Sequence, residues 1–156
     1  MAQIFLVTGG LGYIGFHNVV KLIKKRYTVI IIDNVNNSEK FILDRIETID
    51  RIRLVFYEKD LCDCAAFQEI FTKHAIDLVI HFDAFKSVNE SVKKPLKYFK
   101  NNLVFLINGL QAVQDNGIKN LIFSFSAKVY VQPKKLPAIQ QTSFQKALLA
   151  YVGKNK

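Results

Sequence analysis

Little in this 156-residue chain suits a metal or a disulfide framework. There are two cysteines and three histidines, and the cysteines, Cys62 and Cys64, sit two apart in "DLCDC" with no second pair at zinc-ligand spacing. They are read as reduced structural residues, and no metal site is expected. Tryptophan is absent and there are only three prolines, so no proline-rich linker divides the chain, and no repeat or low-complexity tract is found. Long apolar runs are missing too. The longest, such as Val29 to Ile32 and Leu103 to Ile107, fall far short of the roughly 20 residues that span a bilayer, so no membrane helix is expected. The opening "MAQIFLVTGG" lacks the basic region of a signal peptide and passes straight into a glycine turn, which gives the expectation of a mature, cytoplasmic protein.

Acidic side chains are also scarce: 13 against 22 lysines and arginines, for a net charge of +9. That excess does not by itself imply nucleic acid. The basic residues cluster in "KLIKKR", "SVKKPLKYFK" and "QPKKLP", without the interleaved aromatics of an RNA-binding sheet, and are read as solvated helix ends and loops. The first cluster falls in the last turn of a helix, where cations complement the dipole.

What is present is a regular alternation. Half of the residues are hydrophobic, grouped in short bursts, and the length suits one domain with a real core. Strands are expected at 3–7, 28–33, 53–57, 78–82 and 121–125, and helices at about 13–26, 39–49, 65–73 and 95–116. Runs such as "VIII" and "LVIHF" suit strands buried on both faces of a parallel sheet. In the last helix Phe99, Leu103, Leu106, Leu110 and Val113 form one stripe, read as core or as the contact of a homodimer. The expected fold class is α/β: a Rossmann-type doubly wound parallel sheet of about five strands, order 3-2-1-4-5, with helices on both faces.

Four of the seven glycines fall within "TGGLGYIG", Thr8 to Gly15, where the first strand hands over to the first helix. Unpaired N–H groups and the positive end of the helix dipole converge at such a junction and make an anion site. Gly9 permits the tight turn, Gly12 the close approach of a pyrophosphate, and Gly15 the packing of helix on strand. An acid, Asp33, closes the second strand 18 residues beyond Gly15, placed to accept hydrogen bonds from a ribose and to repel a 2′-phosphate. The pattern predicts binding of NAD in preference to NADP.

The Gly9, Gly12, Gly15 spacing resembles that of the extended short-chain dehydrogenase/reductase family. With "DNVNNS" at 33–38, "HFDAFKSVNESVKKPLKYFKNN" at 81–102 and "FSFSAKVY" at 123–130, the chain is similar to the UDP-glucose 4-epimerase (UDP-galactose 4-epimerase) group of NAD-dependent epimerases/dehydratases. The similarity runs from residue 3 to about 154 and covers the first half of a typical member. Residues 1–156 are therefore expected to form a single NAD-binding domain, with the substrate-binding C-terminal part absent.

The resemblance implies NAD-dependent interconversion of UDP-galactose and UDP-glucose through a 4-keto intermediate, with a UDP-sugar as substrate partner. It places Tyr13 and Ile14 at the pyrophosphate, Asp33, Asn34, Asn36, Asn37 and Ser38 at the adenosine, and Asp60 and Leu61 beside adenine. Phe82, Asp83, Ala84, Phe85, Lys86 and Asn101 follow the cofactor along the strand tips. The implied catalytic residues are Ser126, which hydrogen-bonds the reacting hydroxyl, and Tyr151, the base, 25 residues further on.

Several positions depart from the family pattern. Where the family places a lysine one helical turn after the tyrosine, Asn155 supplies no charge to favour a phenolate. Asp83 replaces a small residue, Phe125 and Lys128 replace small hydroxyl residues beside Ser126, Val131 replaces a turn glycine, and "VFL" at 104–106 replaces a small-residue segment. These departures leave two further readings open: a non-catalytic NAD-binding module, and another nucleotide-sugar dehydratase or reductase, which "HFDAFKSVNES" argues against. His81 and His17 are read as structural, and Lys86 in isolation as a loop lysine.

Overall fold

The structure, a computed structural model, describes residues 2–124. In chain order its elements are β1 (Ile4–Thr8), α1 (Tyr13–Lys24), β2 (Thr28–Asp33), α2 (Phe41–Asp50), β3 (Val55–Glu58), α3 (Cys64–Lys73), β4 (Leu78–His81), α4 (Val88–Lys93), α5 (Pro95–Phe99), a π-helical turn (Lys100–Val104), α6 (Phe105–Asp115) and β5 (Leu121–Phe123). All five strands are parallel and lie in the order β3-β2-β1-β4-β5, as the alternation in the sequence predicts.

β1 and β2 are apolar from Ile4 to Val7 and from Val29 to Ile32 because both of their faces are covered. Successive strand residues point to opposite faces. Phe5, Val7, Val29, Ile31 and Ile80 accordingly join Leu11, Val19 and Ile46 in a core under α1 and α2. Leu6, Ile30, Ile32 and Val79 point the other way and pack with Phe67, Ile70, Phe71, Ala112 and Val113 of α3 and α6. Leu6, Ile31 and Ile32 are fully buried. Each such side chain contributes about 1.5–3 kcal/mol through its burial.

Helix boundaries follow local chemistry. Asp63 caps α3, its Oδ1 accepting from the Ala65 N–H at 2.9 Å. Gly117, at φ 66°, closes α6 in the left-handed conformation, and the Ile118 N–H reaches back to the Val113 carbonyl at 2.9 Å.

The long helix expected over 95–116 is broken by the π turn, and α4 precedes it unannounced. One extra residue in a turn rotates everything after it by about 100°. The stripe read from a constant period therefore divides. Val113 is buried, whereas Phe99 and Leu103 are 62% and 49% exposed, together with Val92, Leu96 and Ile107.

The chain leaves β1 toward β2 and β3 on one side and returns to β4 on the other. The crevice at the C-terminal ends of β1 and β4 is thus the topological switch point, where open α/β sheets take their ligands.

Candidate functional site

Three loops meet at that switch point. The Gly9 N–H donates to the Ile32 carbonyl at 2.9 Å and the Phe82 N–H to the Thr8 carbonyl at 3.0 Å, so the ladder fixes all three strand tips before the chain turns. Gly9 then adopts φ 66°, and a methyl group there would lie 2.8 Å from the Asp83 amide nitrogen. A Cβ on Gly15 would run into the Gly9 carbonyl, so α1 sits directly on the turn because Gly15 has no side chain. No side chain caps α1 and no acid lies in its first turn. Its leading N–H groups face a groove of about 470 Å³ with the positive end of the helix dipole behind them.

Asp33 holds this turn to β2. It is 5% exposed, and its Oδ2 accepts from the Leu11 N–H at 3.1 Å, while Oδ1 accepts from the Val35 N–H at 2.9 Å and the Ser38 hydroxyl at 2.8 Å. A carboxylate has about four acceptor positions, so three are filled and one is left for a ligand. Val35 stands at φ 56°, costly for a β-branched residue, and that conformation carries its N–H onto the carboxylate.

At the tip of β4, His81 is buried, its Nδ1 2.7 Å from the Thr8 hydroxyl and its ring stacked on Phe123. Burial, aided by the nearby Lys86 ammonium, pushes it down to about 3, so it stays neutral. Two residues on, burial pushes Asp83 up to about 6, with Asp33 and Asp60 adding to the effect and Lys86 opposing it. Asn102, in the π turn, clamps the next stretch: its Oδ1 accepts from the Phe85 N–H at 2.9 Å and its Nδ2 donates to the Phe85 carbonyl at 3.1 Å.

Most residues singled out from the sequence converge on the groove. Gly9, Gly12, Tyr13, Ile14 and Gly15 line it from the turn and α1. Asp33, Asn34, Asn37 and Ser38 line it from the end of β2, and Phe82, Asp83, Ala84, Phe85 and Lys86 from the end of β4. The other four are placed differently. Asn36 is exposed and its N–H donates to Asn34 Oδ1 at 3.2 Å. Asp60 accepts from the Cys62 N–H at 2.9 Å, and Leu61 is buried in the core at 1% exposure. Asn101 lies in the π turn, its Nδ2 donating to Asn102 Oδ1 at 3.1 Å. Ser126, Tyr151 and Asn155 lie outside the described residues.

Sequence reading missed the far wall, made by Ser87, Glu90, Lys97 and Tyr98. Glu90 gathers it, accepting from Lys97 Nζ and the Tyr98 hydroxyl, each at 2.9 Å. The overlooked signal is a capping pattern, Ser87 followed three residues later by Glu90, whose N–H lies 3.4 Å from the serine hydroxyl. Among the described residues no cluster of histidine, cysteine or acids could hold a metal ion. No described helix is long and apolar enough to cross a membrane.

Uncapped amides, bare glycines and a carboxylate with one acceptor position to spare form a donor and acceptor set that fits a nucleotide diphosphate and its ribose.

The family model for GDP-mannose 4,6 dehydratase matches residues 6–148. UDP-glucose 4-epimerase 2 of Arabidopsis thaliana is 42% identical over 145 residues, 91% of this chain and 41% of the relative. A UDP-glucose 4-epimerase sequence of Klebsiella pneumoniae is 44% identical over 135 residues, 86% of this chain and 97% of that sequence. The crystal structure of the Bifidobacterium longum UDP-glucose 4-epimerase in complex with NAD+ and UDP superposes with a TM-score of 0.87 at 40% identity, covering 92% of this chain and 43% of that one. The chain thus spans about two-fifths of the length of most curated relatives it matches. By this sequence and fold, the chain belongs to the GDP-mannose 4,6-dehydratase family, in its UDP-glucose 4-epimerase group.

Proposed function

We propose that residues 1–156 are a single NAD-binding domain of a UDP-glucose 4-epimerase-like protein, serving the interconversion of UDP-galactose and UDP-glucose. The observation that carries this is the groove itself, where the uncapped start of α1 and the buried Asp33 face the same space. The first amides of α1 would hold the diphosphate, and the remaining acceptor position of Asp33 would take a ribose hydroxyl. A 2′-phosphate beside that carboxylate would be repelled, which favours NAD over NADP.

When bound, the nicotinamide supplies a site that accepts a hydride from C4 of the sugar and returns it. This chain's own contribution to proton movement is assigned to Ser126, as hydrogen-bond partner of the 4-hydroxyl, and Tyr151, as base. A phenolic oxygen with an ordinary pKa near 10 needs a cation close by to act at neutral pH. Asn155 carries no charge, and this supports a second reading, that the chain is an NAD-binding module with very low turnover. A UDP-sugar is the proposed substrate partner. A second copy of the chain is the proposed partner of the exposed apolar residues Val92, Leu96, Phe99, Leu103 and Ile107. The two free cysteines, Cys62 and Cys64, suit the reducing cytoplasm, the proposed location.

Titration with NADH followed by fluorescence tests the binding step, and saturable uptake is expected. A coupled assay on UDP-galactose separates the two readings: turnover near that of a two-part epimerase would refute the module. Sedimentation at increasing concentration checks the dimer, which Leu96→Glu should disrupt.

A further inference from the structure

Asp83 has no counterpart in the requirements of a dinucleotide site. Its backbone runs along the glycine turn, so close that a methyl on Gly9 would lie 3.0 Å from its Cβ, and its side chain lines the groove. Asp33 takes three hydrogen bonds, but no described residue donates one to the Asp83 carboxyl.

Its surroundings do not supply a dedicated cation. Asp33 faces it from β2, and Asp60 and the Cys62 thiol from the loop after β3. Lys86, on its own loop, opposes these, with its Nζ 3.5 Å from the Phe82 carbonyl. Glu90 and Lys97 on the α4–α5 wall are paired with each other at 2.9 Å, and Tyr13 and Tyr98 complete the titratable lining. Of the ionisable residues that line the groove, three are carboxyls and two are ammonium groups.

A ligand diphosphate seated on the first turn of α1 brings further negative charge beside this unpaired carboxyl. This inference rests on the dinucleotide reading. We infer that Asp83 is a proton-linked determinant of ligand affinity: its carboxyl must be neutral for a diphosphate to seat, and binding takes up a proton at this side chain. A neutral carboxyl also gains an O–H that can donate to a phosphate oxygen, which the carboxylate cannot do. Linkage then fixes the sign. Affinity is greatest where Asp83 is already protonated and falls as pH rises through its free-state value of about 6. His81, pushed down to about 3, and Cys62, held above its usual value by burial and then by Asp60, do not titrate in that window.

The test is calorimetric titration of the 156-residue chain with NAD+ from pH 5.5 to 8, in pairs of buffers that differ in ionisation enthalpy. The wild type should bind about fiftyfold more weakly at pH 8 than at pH 6 and take up nearly one proton per ligand near pH 7. Asp83→Asn keeps an N–H donor without the titration. It should bind at pH 8 as the wild type does at pH 6, with no proton uptake, and Asp83→Ala should be equally independent of pH. Identical pH profiles for wild type and Asp83→Asn would overturn the role of Asp83 and leave the dinucleotide reading standing. Failure of folded wild type and both variants to bind NAD+ at any pH would overturn both.

Discussion

The ends of β2 and β4 carry one aspartate each, and the two face the same groove under opposite conditions. Asp33 is buried and held by three donors, with two backbone amides and a hydroxyl on its oxygens. Asp83 is partly buried, receives no hydrogen bond from the described residues, and is pushed up to about 6. Burial alone therefore does not decide what a carboxyl does at a strand tip. Donors decide it, because desolvation disfavours the charge unless hydrogen bonds replace the lost water. The β2 end supplies three donors to its carboxyl, and among the described residues the β4 end supplies none.

Removing the donors' partner should have the largest effect. Asp33→Ala strands the Leu11 and Val35 N–H groups, and is expected to lower unfolding free energy by at least about 4 kcal/mol and NAD affinity by 100-fold or more. Denaturant melts and NADH titration check this, and near-wild-type values would erase the contrast between the two ends.

The neutral His81 behind Asp83 gives a pH signature. Its folded value of about 3 lies below the ordinary 6.5, so its contribution is complete above pH 6.5 and is lost as pH falls toward 3. A loss of about 3–4 kcal/mol is expected across that window. His81→Phe should flatten the acid limb of the stability curve, at some expense to the bond with Thr8.

Asp83 has the opposite sign. Its folded value lies above the ordinary 3.8, so its contribution is fully present below about pH 4 and is lost as pH rises through about 6. Asp83→Asn should therefore stabilise the chain at pH 7.5 by about 1–3 kcal/mol, an advantage that fades by pH 4. Destabilisation at neutral pH would show that the carboxyl has a stabilising partner after all.

The smallest effect is expected at Val35. Asparagine tolerates φ 56° better than a β-branched side chain, but Val35→Asn gives up contacts with the core beneath α1 and α2. A net gain of about 0.5–1 kcal/mol in a thermal melt would confirm that the strain holds the Val35 N–H on Asp33.

Much of the groove was legible in the sequence because its parts are local. The glycine turn, the acid closing β2 and the "HFDAFK" stretch each lie within one strand-to-loop junction, where residue type and backbone need are tied directly. The wall formed by α4 and α5 escaped, since a six-residue helix carries too few turns to show a period, and only Ser87 and Glu90 announce it. The stripe read as core or dimer contact divides for the same reason, because a fixed period cannot anticipate the π turn, and Phe99 and Leu103 end exposed while Val113 ends buried. The carry-over to Asp60, Leu61 and Asn101 gave positions near the strand tips, but not which atoms turn toward the groove.

The sequence by itself determined the alternation of strands and helices, the strand order, and the bare turn from Thr8 to Gly15. The alternation follows from side-chain period, the bare turn from glycine's lack of a Cβ, and the strand order from the right-handed crossovers of a doubly wound sheet. Only the tertiary structure decided that Asp33 is satisfied and Asp83 is not. Donors from residues 11, 35 and 38 reach one carboxyl and none reaches the other, and proximity of that kind arises only when separate loops are brought to the same edge of a sheet.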